Sequence, residues 1–313
     1  MDFPGHEHAG FYDVVMVEPE VRRLVHKLGI ETRFITRVTD VVKEDGLLTG
    51  VKTGTGEVID GDVFIETTGS TGPMGNCMRY GNGCSMCVLR CPAFGPRVSI
   101  TEKAGLDDLT ACKADGTRGA FSGSCKLEKR SLSRKLQRKL EKDGFVVVPL
   151  PKELVNKEKL SKKVCRQYAL DSFAENVILI DTGYAKLMTP YFNLEQLRSV
   201  EGFENARFAD PYAGGKGNSI RYMSVGVRDD YMRACGIDNL FLGGEKSGFF
   251  IGHTEAISTG SLAGYNGACH ALGKPLLRLP ESLAIGDLLA FSNRALEEED
   301  CLCLLYTSDA ADD

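Results

Sequence analysis

DNLFLGGEKSGFFIGHTEAISTGSLAGYNGACHALGKP, residues 238–275, is the stretch whose reading decides the fold. A short apolar strand over 239–242 runs directly into Gly243-Gly244-Glu245. Beyond a loop of small residues, the spacing predicts a helix over about 254–272: Ala256, Gly260, Ala263, Gly264, Gly267, Ala268 and Ala271 recur at helical intervals. One face of that helix carries almost no side chains, so its axis can lie close to a sheet or to an elongated ligand. Thr254 suits the N-cap, and Gly273 followed by Pro275 stops the helix. Each helix glycine costs about 1 kcal/mol against alanine and so requires a reason, either close packing on a sheet or a bound ligand. A strand, a Gly-Gly-acid turn and a helix N-terminus together make an anion site.

The first part of the chain has the other half of such a sheet. Residues 11–17 suit a short strand or a buried loop, and Pro19 opens a helix over 20–28 that Gly29 ends. Apolar runs predict strands over 30–34, 36–43 and 48–53, with Asp45-Gly46 as a hairpin turn and Gly54-Thr55-Gly56 as the next turn. A buried strand over 62–67 ends in Thr67-Thr68-Gly69.

Residues 238–275 resemble the C-terminal flavin-binding motif of the glucose-inhibited division protein A family, a motif shared by the flavin- and folate-dependent tRNA uracil methyltransferases. Asn239, Leu240, Phe241, Gly243, Gly244, Gly252, Glu255, Ala256, Gly260, Ala263, Gly264 and Asn266 carry the likeness. In that family the strand and glycines meet the FAD phosphates and ribityl chain, and the helix N-terminus lies under the flavin ring. The resemblance therefore implies an FAD site lined by Gly243, Gly244, Glu245, Gly252, His253, Thr254, Glu255 and Ala256. A meander followed by a strand ending in T-T-G is similar to the crossover of glutathione-reductase-type flavoproteins. That likeness implies that the backbone near Val38 faces the adenine and that Thr67, Thr68 and Gly69 approach the FAD. GFENARFADPYAGG (202–215) and LPESLAIGDLLAF (279–291) are similar to segments flanking the motif in the two families.

The implied fold is α/β: a Rossmann-like FAD-binding domain with a β-meander, formed by residues 1–73 and 236–276. An α+β domain is inserted over 74–235, and a helical segment follows over 277–302. The implied activity is that of an FAD-dependent oxidoreductase passing hydride or electrons through its flavin, with NAD(P)H or an electron carrier as donor. The alternative is a flavin-dependent tRNA-modifying or tRNA-binding protein of the division-protein type. No pattern names a general acid or base. His253 is a candidate for proton transfer, against the plainer reading of a residue that merely starts a helix.

GNCMRYGNGCSMCVLRCPAFGPRVSI raises a separate chemical question. Cys84, Cys87 and Cys91-Pro92 reproduce the C-x2-C-x3-C-P ending of a bacterial ferredoxin run, with Cys77 upstream at a spacing that departs from it. Grouped thiolates select zinc, copper(I) or iron–sulfur. Four readings stand side by side: a [4Fe-4S] cluster on Cys77, Cys84, Cys87 and Cys91, a zinc site, a redox or nucleophilic thiol with Cys87 as candidate, and inert thiols.

At 313 residues the chain can bury a sizeable core, and a hydrophobic fraction of 42% is ordinary for a globular protein. No run is long enough to span a membrane, and MDFPGHEHAG has neither a basic n-region nor an apolar h-region. With eleven cysteines and no such signal, the expected compartment is the reducing cytoplasm. The net charge of -5 is unevenly spread: residues 126–166 hold fourteen Lys and Arg against five Asp and Glu. Helices are predicted over 126–142 and 151–166, with Leu132, Leu136 and Leu140 on one face of the first. Their cations make tRNA a possible partner, against the usual reading of a solvated face. Residues 176–181 read as a strand, and 186–226 as a loop-rich region. No GxGxxG is found, so Met1 is expected to be internal to a longer flavoprotein and the FAD affinity of these residues alone to be low. CLLYTSDAADD (303–313) reads as an adapter-derived tail, expected to lie outside the fold.

Overall fold

The computed structural model describes residues 13–70, 98–112, 121–122, 125–163, 168–190, 192–209, 220–221, 223–248, 250 and 252–299. Cys77, Cys84, Cys87 and Cys91 lie outside the described residues, as does the 303–313 tail.

Helix α1 spans Val14–Lys27 and begins well before the expected residue 20, because Asp13 caps it by accepting a hydrogen bond from Val15 N. Residues 14–17 are therefore helical, and Pro19 lies inside the helix rather than opening it. The strand expected over 30–34 does not form. Those residues are exposed and unpaired with any strand, and Ile35 turns the chain with φ of 55°. An isolated strand leaves its backbone groups without partners, so apolar content alone does not make one.

Strands β1 (Val38–Glu44), β2 (Leu47–Thr53) and β3 (Val58–Asp60) form the expected antiparallel meander. Asp45 and Gly46, with φ of 48° and 85°, supply the left-handed pair that a tight two-residue hairpin requires. β4 (Phe64–Glu66) follows. Helix α2 (Ile100–Lys103) is capped by Ser99, and β5 (Asp108–Thr110), β6 (Phe121–Ser122) and β7 (Cys125–Leu127) come next.

The basic helix starts later than expected. Cys125 and Leu127 alternate into the core as a strand, and α3 (Arg134–Asp143) begins only after Ser133, whose Oγ caps Leu136 N. Gly144, in the left-handed region at φ 76°, ends α3 and releases β8 (Phe145–Pro149). The second basic helix is replaced, where described, by 3-10 turns at Lys152–Leu154 and Lys157–Lys162. Neither turn buries a residue, so nothing offsets the cost of nucleating an α-helix there.

Beyond residue 185 the chain is more regular than expected. After α4 (Asp171–Glu175) and β9 (Asn176–Asp181) come β10 (Ala185–Leu187), α5 (Leu194–Arg198), β11 (Ile220–Arg221) and β12 (Ser224–Gly226). The chain then enters β13 (Leu240–Leu242), the long helix α6 (His253–Ala271) and α7 (Ala284–Glu299).

One four-stranded antiparallel sheet has the order β7-β10-β9-β8, covered by the Leu136 and Leu140 side of α3 and by Leu132 just before it. β5 pairs with β12 and β6 with β11, which ties both flanks of that sheet back to the rest. β13 runs parallel to β4, with Leu240, Phe241 and Leu242 opposite Phe64, Ile65 and Glu66. A buried asparagine stitches this pair to the meander: Asn239 Nδ2 donates to the Leu48 and Asp62 carbonyls, and its Oδ1 accepts from Leu48 N. Phe241, Phe250, Leu262, Ala263, Met223 and Leu288 form the core beneath α6 and α7. No helix among the described residues is long and apolar enough to cross a membrane.

Candidate functional site

Because β4 and β13 are parallel, both strands end at the same edge of the sheet, and the two predicted loops leave side by side. Gly243 N extends the ladder by one bond, to the Glu66 carbonyl at 3.0 Å. Gly69 and Gly244, with φ of 78° and 63°, both turn through the left-handed region that glycine occupies without strain. Ser70 Oγ donates to Glu245 Oε2 at 3.0 Å, so the T-T-G-S and G-G-E segments touch directly. A Cβ placed on Gly243 would stand 3.0 Å from Gly260 Cα and 3.3 Å from Thr67 Cγ2. Close packing thus accounts for glycine at Gly243 and at Gly267, whose Cβ would meet Ile65 and Val63 at 3.3 Å, but not at Gly260, where an added Cβ would meet nothing within 4 Å. Gly264 likewise faces open space.

Helix α6 points its first turn at this edge. Gly244 N donates to Thr259 Oγ1, and a Cβ on Gly244 would lie 3.9 Å from the Ala256 Cβ. The N-cap is Gly252, not Thr254, and it makes no side-chain cap bond. The buried Glu255 carboxylate folds back to within 1.7 Å of where a Cβ on residue 252 would be, so any larger residue there would have to displace that side chain. His253 and Thr254 are exposed in the first turn. Thr67, Thr68, Gly69, Gly243, Gly244, Glu245, Gly252, His253, Thr254, Glu255 and Ala256 therefore gather at one sheet edge. Val38 stands apart from them, on the meander, packed against the core of Leu48, Leu240 and Leu242. The glycines leave room for a ligand to approach the backbone closely, and the N–H end of a long helix favours negative charge. The open backbone at these glycines and the helix N-terminus are what a dinucleotide flavin would need to approach.

Sequence reasoning missed what fastens the edge. Lys246 is wholly buried, and its ammonium donates to Asp108 Oδ2 at 2.6 Å and Ser99 Oγ at 2.9 Å, with Glu66 Oε1 at 3.7 Å. Glu66 is also buried; its carboxylate accepts from Ile100 N, Thr101 N and Thr68 Oγ1 at 2.7–3.0 Å. The first turn of α2 thus supplies two backbone donors to a carboxylate that Lys246 alone would not satisfy. Thr101 Oγ1 donates to the other Asp108 oxygen. On the opposite side Arg228, also buried, donates from Nε to the Ser247 carbonyl at 2.9 Å. One signal was available: a lysine within LFLGGEKSGFF has little solvent to reach.

No group of three or more metal-ligating side chains occurs among the described residues. Cys112 is disulfide-bonded, whereas Cys125 is buried on β7.

The family model described as "Glucose inhibited division protein A" matches residues 3–188 and 171–275. The methylenetetrahydrofolate–tRNA-(uracil-5-)-methyltransferase TrmFO of Dinoroseobacter shibae is 36% identical over 95 residues, which are 30% of this chain and 20% of that protein. Two crystal forms of GidA from Aquifex aeolicus are similar at 16% identity. Form II has a TM-score of 0.48 and covers 80% of this chain and 47% of that one. Form I has a TM-score of 0.47 and covers 81% and 50%. The chain therefore spans about half the length of those GidA chains and a smaller share of the methyltransferase. Since the family model accounts for both halves of the parallel pair and for the α6 motif at its edge, the chain belongs to the glucose-inhibited division protein A family.

Proposed function

We propose that these residues form part of the FAD site of a flavin-dependent tRNA-modifying enzyme. The observation that carries this reading is the convergence of Thr67–Gly69, Gly243–Glu245 and the α6 N-terminus at one sheet edge, although some 170 residues separate the first two in the chain. When bound, FAD supplies hydride or one-electron chemistry. The chain's own residues bind and orient it: Gly243, Gly244 and Gly69 offer backbone at close approach, and the first turn of α6 offers N–H groups. Likeness to the methyltransferase makes a uracil of tRNA the candidate substrate base. Arg134, Lys135, Arg138 and Lys139, all exposed on α3, suit a phosphate backbone.

FAD titration followed by flavin fluorescence tests the first part. Saturable binding that Gly244→Val weakens at least about tenfold supports it, since any side chain there is both strained and in the way. A chain that binds FAD equally well with valine at 244 overturns it. For tRNA, Lys135→Glu, Arg138→Glu and Lys139→Glu together should weaken binding and flatten its salt dependence, each lost phosphate contact removing about 0.9 from the slope. Unchanged tRNA binding would remove α3 from the interface.

A second reading keeps electron transfer to the cysteine segment, whether through a [4Fe-4S] cluster or a thiol, with NAD(P)H or a carrier as donor. It is favoured by the flanks of that segment. Ser70 before it is bonded to Glu245, and Ser99 after it to Lys246, so both flanks are fastened to the glycine turn. Visible absorbance and acid-labile sulfide in protein purified without oxygen decide it.

A further inference from the structure

Arg228 is 5% exposed, and its guanidinium is spread over three elements. Nε donates to the Ser247 carbonyl at 2.9 Å, Nη2 to Ser292 Oγ at 2.7 Å, and Nη1 to Asn293 Oδ1 at 3.0 Å and the Asp229 carbonyl at 3.3 Å. Phe250 packs against it with 5.6 Å from Cζ to the ring centre. Its acceptors are all neutral. The neighbouring carboxylates are taken up by other arginines, Asp229 by Arg233 and Asp230 by Arg278. Burial pushes the guanidinium down to about 10, which still leaves it charged at neutral pH.

A charge this deeply buried with no directly bonded carboxylate, Asp230 and Asp229 acting on it only at longer range, is costly to keep, so the residue must do something that an apolar side chain would not. Its bonds form a continuous line. Ser292 and Asn293 lie on α7; Arg228 joins them to the Ser247 carbonyl; and Ser247 Oγ in turn donates to the Gly244 carbonyl at 2.8 Å. Gly244 is the left-handed residue of the glycine turn. The three donors of lysine radiate from one nitrogen, whereas the planar fork of arginine spreads its donors far enough apart to reach all of these acceptors at once.

We propose that Arg228 is a positioning residue through which the seating of α7 sets the backbone of the Gly244–Ser247 turn. The helix that closes the described chain thereby controls how the turn is presented to its ligand. The functional meaning of this coupling rests on the flavin reading above, while the coupling itself does not.

The test compares the full chain with Ser292→Ala/Asn293→Ala, with Arg228→Lys, and with Arg294→Ala. The last lies on the same helix but pairs with Glu281, and it controls for simple loosening of α7. Amide hydrogen exchange at residues 244–248 is the first readout and FAD affinity by fluorescence the second. The double variant and Arg228→Lys should each accelerate exchange at the turn by about tenfold and weaken FAD binding several-fold, whereas Arg294→Ala leaves both unchanged. Exchange at the turn that stays at the wild-type rate in the double variant overturns the proposal. So does a loosened turn that binds FAD with undiminished affinity while Gly244→Val binds it weakly. If Gly244→Val binds FAD as tightly as wild type, but the turn still loosens only in the Arg228-linked variants, the coupling stands and the flavin reading falls.

Discussion

The four-stranded sheet and the glycine edge are held together by opposite means. Beneath the sheet, Leu127, Leu140, Val146, Val177, Leu179, Ala185, Leu187, Leu197 and Phe203 are all essentially without solvent, and they interlock as an ordinary apolar core. At the edge of β4 and β13, the residues that fix the backbone are Lys246, Asp108, Glu66, Arg228, Asn239 and Thr259, all polar and most of them buried. A stretch that must expose backbone and leave space cannot be filled with interdigitating side chains. Its geometry has to be set by directional bonds, which specify one arrangement at the cost of desolvating charge. The difference predicts that the two regions fail differently.

The largest effect is expected from Lys246→Met. It leaves Glu66 and Asp108 buried without their shared cation, and breaking a buried pair from one side costs about 3–5 kcal/mol. Urea unfolding should show that loss. A loss below about 1 kcal/mol would mean that Ile100 N and Thr101 N on Glu66, and Thr101 Oγ1 on Asp108, satisfy the two carboxylates unaided.

Next comes Leu140→Ala, which opens a cavity under the sheet and should cost about 3 kcal/mol. Its consequence should stay local: unfolding of residues 125–206 should come earlier while FAD affinity holds. FAD binding lost in step with Leu140→Ala would show that the two regions are one cooperative unit and erase the contrast. These separate cores also lead us to propose that the inserted unit is narrower than residues 74–235, since Ala111, Phe121, Met223 and Val225 pack with α6 rather than with the sheet.

A pair of glycines sharpens the comparison within the edge itself. Gly243→Ala must push against the Gly260 backbone, so it should cost about 1–3 kcal/mol. Gly260→Ala meets nothing within 4 Å and exchanges a poor helix former for the best one, a gain of up to about 1 kcal/mol. Thermal unfolding of the two variants should therefore shift in opposite directions. If both fall, Gly260 is needed for something other than space.

What could be read from the sequence follows the same division. The meander was legible because Asp45-Gly46 and Gly54-Thr55-Gly56 punctuate apolar runs, and α6 because small residues recur at its spacing. The convergence of Thr67–Gly69 with Gly243–Glu245 was legible only through likeness to a known motif, since nothing local announces a parallel partner so far along the chain. The strand expected at 30–34 failed because pairing, not composition, makes a strand. The early start assigned to the basic helix ignored Ser133 as a cap. Most of the fastening charges were invisible for a simpler reason. Glu66, Asp108 and Arg228 are scattered along the sequence, and each taken alone reads as a solvated surface residue; only Lys246, set in an apolar run, carried a signal.

The smallest expected effect concerns a thiol at the rim of the charged region. Cys235 lines a cleft of 540 Å³ together with Arg228, Asp229, Asp230, Arg278 and Asn293. Although the residue is exposed, partial burial of the thiol raises its pKa above the ordinary 9.0, and Asp229 raises it further, against opposing pulls from Arg228 and Arg233. A raised thiol pKa favours the neutral form in the folded chain. Its contribution to stability is therefore complete below the ordinary value and is lost as pH rises through the folded one. Cys235→Ser should flatten the decline in stability above pH 9 without changing stability at pH 7. The same shift lowers the thiolate fraction, and the thiolate is the form that reacts. Alkylation of Cys235 at pH 8, followed by peptide mass mapping, should accordingly be slower in the folded chain than in urea. Asp229→Asn should quicken it, because asparagine can still accept the Tyr231 and Arg233 N–H bonds while removing the charge. A folded-state rate equal to the unfolded one would show that solvent screens Cys235 fully, and that the low-dielectric character of the glycine edge ends at Arg228.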